Sequence, residues 1–317
     1  MKELRGMPVT ESLLLELQEK VNRLNEDGTT PKLTIIRVGA REDDLAYERG
    51  IQKRFAKVGA IAVTKELPLD VTQATLELEI QRVNAEETVH GILLFRPLPK
   101  HLDEKRVKNL IGSEKDVDCM SDMNYAHLFA GDRHGYPPCT PQAVIEMMKY
   151  YGVELTGSKV VVVGRSMVVG KPLAMLLLQE NATVTICHTK TKNLIEECQN
   201  ADIICACAGV ANMIKKNYVK ENQWIFDVGI NVLDGKLCGD VDFDQLREMN
   251  LSCTPVPGGV GSVTTTVLLK HTIENACAKI KRKFLCKECF KMEIILSWNR
   301  FSRQSKICFE NLLLSIA

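Results

Sequence analysis

No run of this sequence approaches the roughly 20 consecutive apolar residues that a helix needs to cross a bilayer. The first residues include Glu3 and Glu11 and lack the apolar core of a secretory signal. A surplus of either charge is missing too: 41 basic against 40 acidic side chains leave +1. Nothing therefore points to nucleic acid or an anionic membrane surface as a partner. Cysteine is plentiful, but a disulfide framework is not. The 12 cysteines are scattered through apolar stretches such as Ile203-Ile204-Cys205-Ala206-Cys207 and read as reduced, mostly buried thiols of a cytoplasmic protein. Cys286-x-x-Cys289 has no second pair, and neither a metal cluster nor a Ser-His-Asp arrangement is suggested by spacing.

What is present is 317 residues with 45% apolar content, enough for two domains with real cores. Leu13, Leu14, Leu17, Val21 and Leu24 carry the 3.6-residue period of an amphipathic helix over 10–26. Strands are predicted at Leu33–Val38, Ile61–Leu67 and Gly91–Phe95, and helices over 43–58 and, behind a hydroxyl cap, Thr72–Asn84. Residues 136–141 (Tyr-Pro-Pro-Cys-Thr-Pro) read as irregular and as a domain junction. The alternation then resumes, with strands at 159–164, 182–188, 202–207 and 224–228 and helices at 171–179 and 192–199. A rigid apolar-glycine loop, Thr254 to Gly261, precedes a helix from about 263 to 279. This pattern predicts an α/β protein of two domains, the second a Rossmann-like parallel sheet. Residues 281–317 differ, with eight Lys plus Arg against three Asp plus Glu.

Val160 to Pro172 is the most informative stretch. A buried apolar strand enters a turn bracketed by Gly164 and Gly170, and an apolar run then opens a helix. A dinucleotide pyrophosphate sits on such a helix N-terminus, where free N–H groups and the dipole favour an anion. The spacing is Gly-x-Ser-x-x-x-Gly, so a plain α/β core turn stays open on this stretch alone. The next strand ends in His188-Thr189-Lys190, without the acid that takes the ribose 2′-hydroxyl of NAD. With Arg165 inside the turn, and Lys190 and Lys192 nearby, NADP is favoured over NAD, which stays possible. His188 reads as a structural strand-end histidine.

Together, several stretches resemble the methylenetetrahydrofolate dehydrogenase/cyclohydrolase family over residues 1 to about 280. They are Gly164-Arg165-Ser166 with Val169 to Pro172, Ala182 to Thr185, Asp227 to Asn231, Gly239-Asp240-Val241, Lys115-Asp116-Val117-Asp118 and Thr254 to Gly261. The resemblance implies a folate-binding catalytic domain (1–140 plus 265–280), an NADP-binding domain (141–264) and a tail outside the family pattern (281–317). It also implies a homodimer and NADP-linked oxidation of 5,10-methylenetetrahydrofolate to the methenyl form. Many members then hydrolyse that product to 10-formyltetrahydrofolate. By the family pattern Gly164, Arg165, Ser166, Thr189 and Ile230 would line the cofactor. Tyr47 and Asp118 would face the folate as catalytic and binding residues, and Pro257, Gly258 and Gly259 would form the cleft wall.

Three departures bear on the chemistry. The family's Tyr-x-x-x-Lys becomes Tyr47 with Ile51, which should aim an aliphatic group where an ammonium is usual. The usual Gln after the Gly91 strand is Phe95. The Gly-Phe-His-Pro after Asp118 becomes Cys119-Met120-Ser121-Asp122. Hydride departure needs mainly alignment, whereas ring opening by water needs protons moved. The expectation is a dehydrogenase with weak or absent cyclohydrolase. The alternatives are the bifunctional enzyme and a folate- or nucleotide-binding protein without turnover.

Overall fold

In the computed structural model, residues 1–132 and 134–282 are described. Met1–Asn275 form one compact unit, and Ala276–Ala317 a second. Of the second unit, residues 276–282 are described and helical. The rest of the basic tail, with Cys286-x-x-Cys289, lies outside the described residues.

Three parallel strands make the first sheet: β2 (Lys32–Val38) lies between β3 (Ile61–Leu67) and β4 (Gly91–Leu94). Leu33, Ile35 and Ile36 on β2 are completely buried, as expected of a parallel strand covered on both faces. Helices α2 (Glu42–Ala56) and α3 (Gln73–Ala85) make the crossovers, and Thr72 caps α3 by accepting from the Thr75 N–H at 3.2 Å. Helix α1 (Gly6–Glu26) buries Val9, Leu13, Leu17, Val21 and Leu24, the face that the sequence period marks. Residues 261–275 form α10, tied to this sheet by the Asn275 amide, which donates to the His90 carbonyl at 2.8 Å.

The second sheet has six strands in the order β1-β11-β8-β7-β5-β6. These are β5 (Lys159–Val163), β6 (Thr183–Cys187), β7 (Ile203–Ala206), β8 (Trp224–Asp227), β11 (Ser252–Cys253) and β1 (Lys2–Glu3), paired in parallel. From β5 the chain goes outward to β6 and then returns to β7 on the other side. Strand order therefore reverses at β5, and a ligand crevice is expected beyond the carboxyl ends of β5 and β7. Helices α7 (Gly170–Gln179) and α8 (Leu194–Asn200) supply crossovers, while β9 (Asn231–Leu233) and β10 (Lys236–Cys238) form a separate hairpin. Short helices α4 (Glu104–Val107) and α9 (Phe243–Leu246) lie between strands.

Two expectations are corrected. Residues 136–141 are not irregular throughout. Cys139, Thr140 and Pro141 form the first turn of α6 (Cys139–Tyr150), where a missing proline N–H costs no helical bond. The chain start also does not belong wholly with the first sheet. Lys2 and Glu3 pair with Ser252 and Cys253 in the second, and two residues are too few for any periodic signal.

Candidate active site

The first half of the site is built on α2. Tyr47 and Ile51 sit one helical turn apart, but their surroundings differ. Ile51 is completely buried, while Tyr47 as a whole residue is 41% exposed. Ile51 thus does not face the cleft as expected, because a branched aliphatic side chain gains more from the core than from a wet wall. Phe95, following β4, stacks on Tyr47 with ring centroids 5.5 Å apart and planes 24° from parallel. The Tyr47 hydroxyl is nevertheless crowded by protein groups. That desolvation, with the charge of Asp118 and the neighbouring Cys139 thiol, pushes the phenol well above its ordinary pKa against a hydrogen bond from Thr265 on α10. The hydroxyl is therefore a neutral hydrogen-bonding group. Lys53 is exposed and Arg54 partly buried on the same helix.

Geometry separates the two acids of Asp116-Val117-Asp118, which sequence order could not. Asp116 is 1% exposed. It accepts from the Met120 and Ser121 N–H groups, each at 2.8 Å, and from the Asn124 amide at 3.1 Å. It is a structural knot, its pKa raised by burial. Asp118 is only half-buried, with one carboxylate oxygen accepting from the Cys139 N–H at the start of α6 (2.9 Å). It is the acid placed beside Tyr47. Behind it, His271 of α10 is held neutral by burial, and its Nδ1–H donates to the Val117 carbonyl at 2.8 Å. Cys119 stands at φ 55°, a left-handed backbone where the family pattern has glycine.

The second half lies at the carboxyl edge of β5, where the sheet order reverses. Gly164 has φ 140°, and a Cβ there would overlap the Cys207 carbonyl beyond β7. A Cβ at Gly170 would overlap the Gly164 carbonyl. Both glycines are thus required by close backbone approach. The expected free N–H groups at the start of α7 are not free. The Ser166 hydroxyl accepts from Val169 (3.1 Å) and Gly170 (3.4 Å), and the Ser166 carbonyl accepts from Lys171 at 3.1 Å. The longer Gly-to-Gly spacing lets the serine fill the mouth of its own turn. Anion recognition then falls on exposed cations: Arg165 in the turn, and Lys190 and Lys192 after β6, beside the exposed Thr189. This set fits a phosphate on the ribose better than a bare hydroxyl.

The floor between these halves is held by carboxylates that sequence reasoning did not single out. Asp240 is fully buried and accepts from the N–H groups of Ala208, Gly209 and Val210 at 2.6, 2.9 and 2.8 Å and from the Asn231 amide at 2.9 Å. Asp227, beside it, accepts from Gly229, Asp240 and Val241. Burial pushes Asp227 up to about 7 against those three bonds. Ile230 follows β8 and is 68% exposed. Its Cδ1 would lie 3.8 Å from a Cβ at Gly261, which places it against the glycine loop. In that loop Pro257 and Gly258 are exposed, and the Gly258 carbonyl accepts from the Gly6 N–H at 2.9 Å. Tyr125 on α5 (Asp122–Ala130) was also missed. Its hydroxyl donates to the Met167 carbonyl in the glycine turn at 3.0 Å. Burial, with Cys119 and Asp118 near, pushes its pKa up to about 12. It links the Asp118 side of the site directly to the cofactor turn.

Residues 4–118 match the profile of the tetrahydrofolate dehydrogenase/cyclohydrolase catalytic domain, and residues 138–280 match the NAD(P)-binding domain of the same proteins. The chain belongs to the tetrahydrofolate dehydrogenase/cyclohydrolase family. The bifunctional protein FolD of Clostridioides difficile (strain 630) is 52% identical over 275 residues, covering 86% of this chain and 96% of that protein. Among solved structures, the bifunctional FolD enzyme of Campylobacter jejuni is 37% identical with a TM-score of 0.85, covering 88% of this chain and 99% of its own. The Trypanosoma brucei FolD, complexed with NADP cofactor and an inhibitor, is 36% identical with a TM-score of 0.81, covering 87% and 97%. Among the described residues, no helix is long and apolar enough to cross a membrane.

Proposed function

We propose that this chain oxidises 5,10-methylenetetrahydrofolate to 5,10-methenyltetrahydrofolate with NADP, and that hydrolysis of the product is slow beside oxidation. The observation that carries the reading is the link through Tyr125 between the Asp118 cluster and the glycine turn. One binding region for a folate and one for a nucleotide thereby share a wall. Asp118 accepts from the amide and amino edge of the pterin, and Tyr47, backed by the buried Phe95 ring, supplies an aromatic surface beside it. Pro257, Gly258 and Gly259 close the opposite wall, while Arg165, Ser166, Thr189 and Ile230 hold the nucleotide beside Gly164. Bound NADP supplies the hydride acceptor. The substrate's own nitrogen lone pair replaces the electron pair that leaves with the hydride, so the protein has mainly to align the reacting carbon.

Hydrolysis asks for more. Water must add to the methenyl carbon, the added oxygen must give up its protons, and a ring nitrogen must be protonated to depart. Neither Ile51 nor Phe95 can carry a proton, and the phenol of Tyr47 is held neutral. Two observations favour the second reading, the full bifunctional enzyme: the Clostridioides difficile relative at 52% identity is a bifunctional FolD protein, and the Campylobacter jejuni enzyme at 37% identity is a methylenetetrahydrofolate dehydrogenase/cyclohydrolase. One assay separates the readings. Purified protein receives methylenetetrahydrofolate with NADP or NAD while reduced cofactor and methenyl absorbance are followed. Accumulating methenyl product with NADPH supports the proposal. Decay well above the uncatalysed rate establishes the bifunctional enzyme, and no cofactor reduction overturns both. We further place the folate region at 1–140 plus 265–280, apart from Lys2 and Glu3, which pair in the second sheet, and the nucleotide region at 141–264. We assign the protein to the cytoplasm from its reduced cysteines, as a homodimer that sedimentation would test.

A further inference from the structure

We propose that His127, Asp132 and His134 form a binding site for one divalent transition ion of the zinc class. These residues lie in the stretch 119–137, between the two segments that match the family. The backbone builds the cluster. Gly131 ends α5 in the left-handed conformation at φ 73°. The Asp132 N–H then donates back to the His127 carbonyl at 3.1 Å, which folds the loop over the last helical turn. Gly135 keeps the loop close, since a Cβ there would come 3.3 Å from the His127 ring and overlap the Asn124 amide.

The donor atoms already sit near a coordination geometry. His127 Nδ1 is 2.9 Å from the Asp132 carboxylate, and His134 Nδ1 is 3.5 Å from its Oδ1. One ligand atom from each of the three residues lies within 4.8 Å of the other two. Bonds of about 2.0–2.1 Å in a tetrahedral zinc site put neighbouring ligand atoms about 3.3 Å apart. The first two separations straddle that value. The third closes by rotation of His134, whose side chain is 83% exposed. The carboxylate is also oriented by the backbone of the loop, because Oδ1 accepts from the His134 N–H at 3.1 Å. Two imidazoles and one carboxylate suit zinc, cobalt or nickel, not magnesium or calcium, which take oxygen donors. Three protein ligands leave a fourth position for water. An ion here would pin the end of α5 to the loop that leads into α6.

The test uses full-length, tag-free protein freed of metal by a chelator that is then removed. Cobalt(II) is titrated by visible absorption, and zinc(II) by competition against it. One ion per chain with a nitrogen–oxygen spectrum is expected, as is about 10-fold or greater weakening in both His127→Gln and His134→Ala. NADPH formation should be unchanged in both variants. Asp132→Asn is the third variant should either histidine change prevent folding. No saturable binding, affinity unchanged in the variants, or a thiolate charge-transfer band assigning the ion to cysteine would each overturn the proposal.

Discussion

Replacing Ile51 by lysine is the sharpest probe of why hydrolysis should be slow. Ile51 is fully buried one turn from Tyr47, so the change removes an apolar side chain worth about 1.5–3 kcal/mol when buried. The lysine stem refills most of that volume, and its amine can snorkel along α2 toward the cleft. There it meets Asp118, whose charge already bears on the Tyr47 hydroxyl. A net loss of about 3 kcal/mol leaves the protein folded if its stability lies in the usual range of about 5–15 kcal/mol. A proton donor and acceptor placed there should raise hydrolysis about 10²–10⁴-fold. Ile51→Met is the control: volume and apolarity are nearly kept, the cost stays below about 1.5 kcal/mol, and hydrolysis should not change. Adding Phe95→Gln should raise the rate further, but truncating a buried phenylalanine costs about 3–5 kcal/mol, so the single variant is read first. The assay is decay of methenyl absorbance after NADP-driven oxidation, with thermal unfolding run in parallel. An Ile51→Lys protein that folds and forms NADPH normally yet leaves methenyl decay unchanged refutes the reasoning.

Three further outcomes are expected. Tyr125→Phe removes the hydrogen bond to Met167, worth about 0.5–1.5 kcal/mol, and should lower kcat for oxidation several-fold with little change in cofactor KM; an unchanged kcat would show that the link is not used. Arg165→Ala should raise the KM for NADP about 10-fold or more, as loss of a charge-assisted bond implies, while leaving NAD kinetics nearly unaltered; equal effects on both cofactors would remove Arg165 from the 2′-phosphate. Burial raises Asp227 from 3.8 to about 7 in the folded protein, so the fold favours its protonated form. The stability this contributes is fully present below about pH 4 and is lost as pH climbs to about 7. The melting temperature of the wild type should fall relative to Asp227→Asn across that window, and a gap that moves the other way would mean the three N–H donors hold the acid ionised.

The elements that could be read from sequence are those whose burial follows a simple period. The α1 face and the apolar runs of β2 and β5 need only one helix or strand to be recognised. The site residues Tyr47, Asp118 and Gly164 were reached through motifs, and the structure places Tyr47 beside Asp118. What escaped depends on contacts across the chain. Tyr125 reaches Met167 across 42 residues, and no local pattern announces such a bond. Asp116 and Asp118 are alike on paper and differ only in how many N–H groups surround them. Ser166 looks like an open phosphate turn until its hydroxyl is seen to accept from Val169. Ile51 reads as a cleft residue by helical spacing, yet packing drew it inward. The histidines at 127 and 134 become neighbours only because Gly131 reverses the backbone.

The path of the backbone between the two sheets has a mechanical consequence. It starts in the six-stranded sheet at Lys2, passes to the three-stranded one, returns at β5, and leaves again after Cys253 for α10. Three covalent strings therefore bind the halves together, where a bead-like pair has one. Any breathing motion must turn all three at once, which limits it to a narrow rocking arc. A protease cut anywhere in 131–138 would leave two fragments that travel as one body in a native gel and separate only in denaturant.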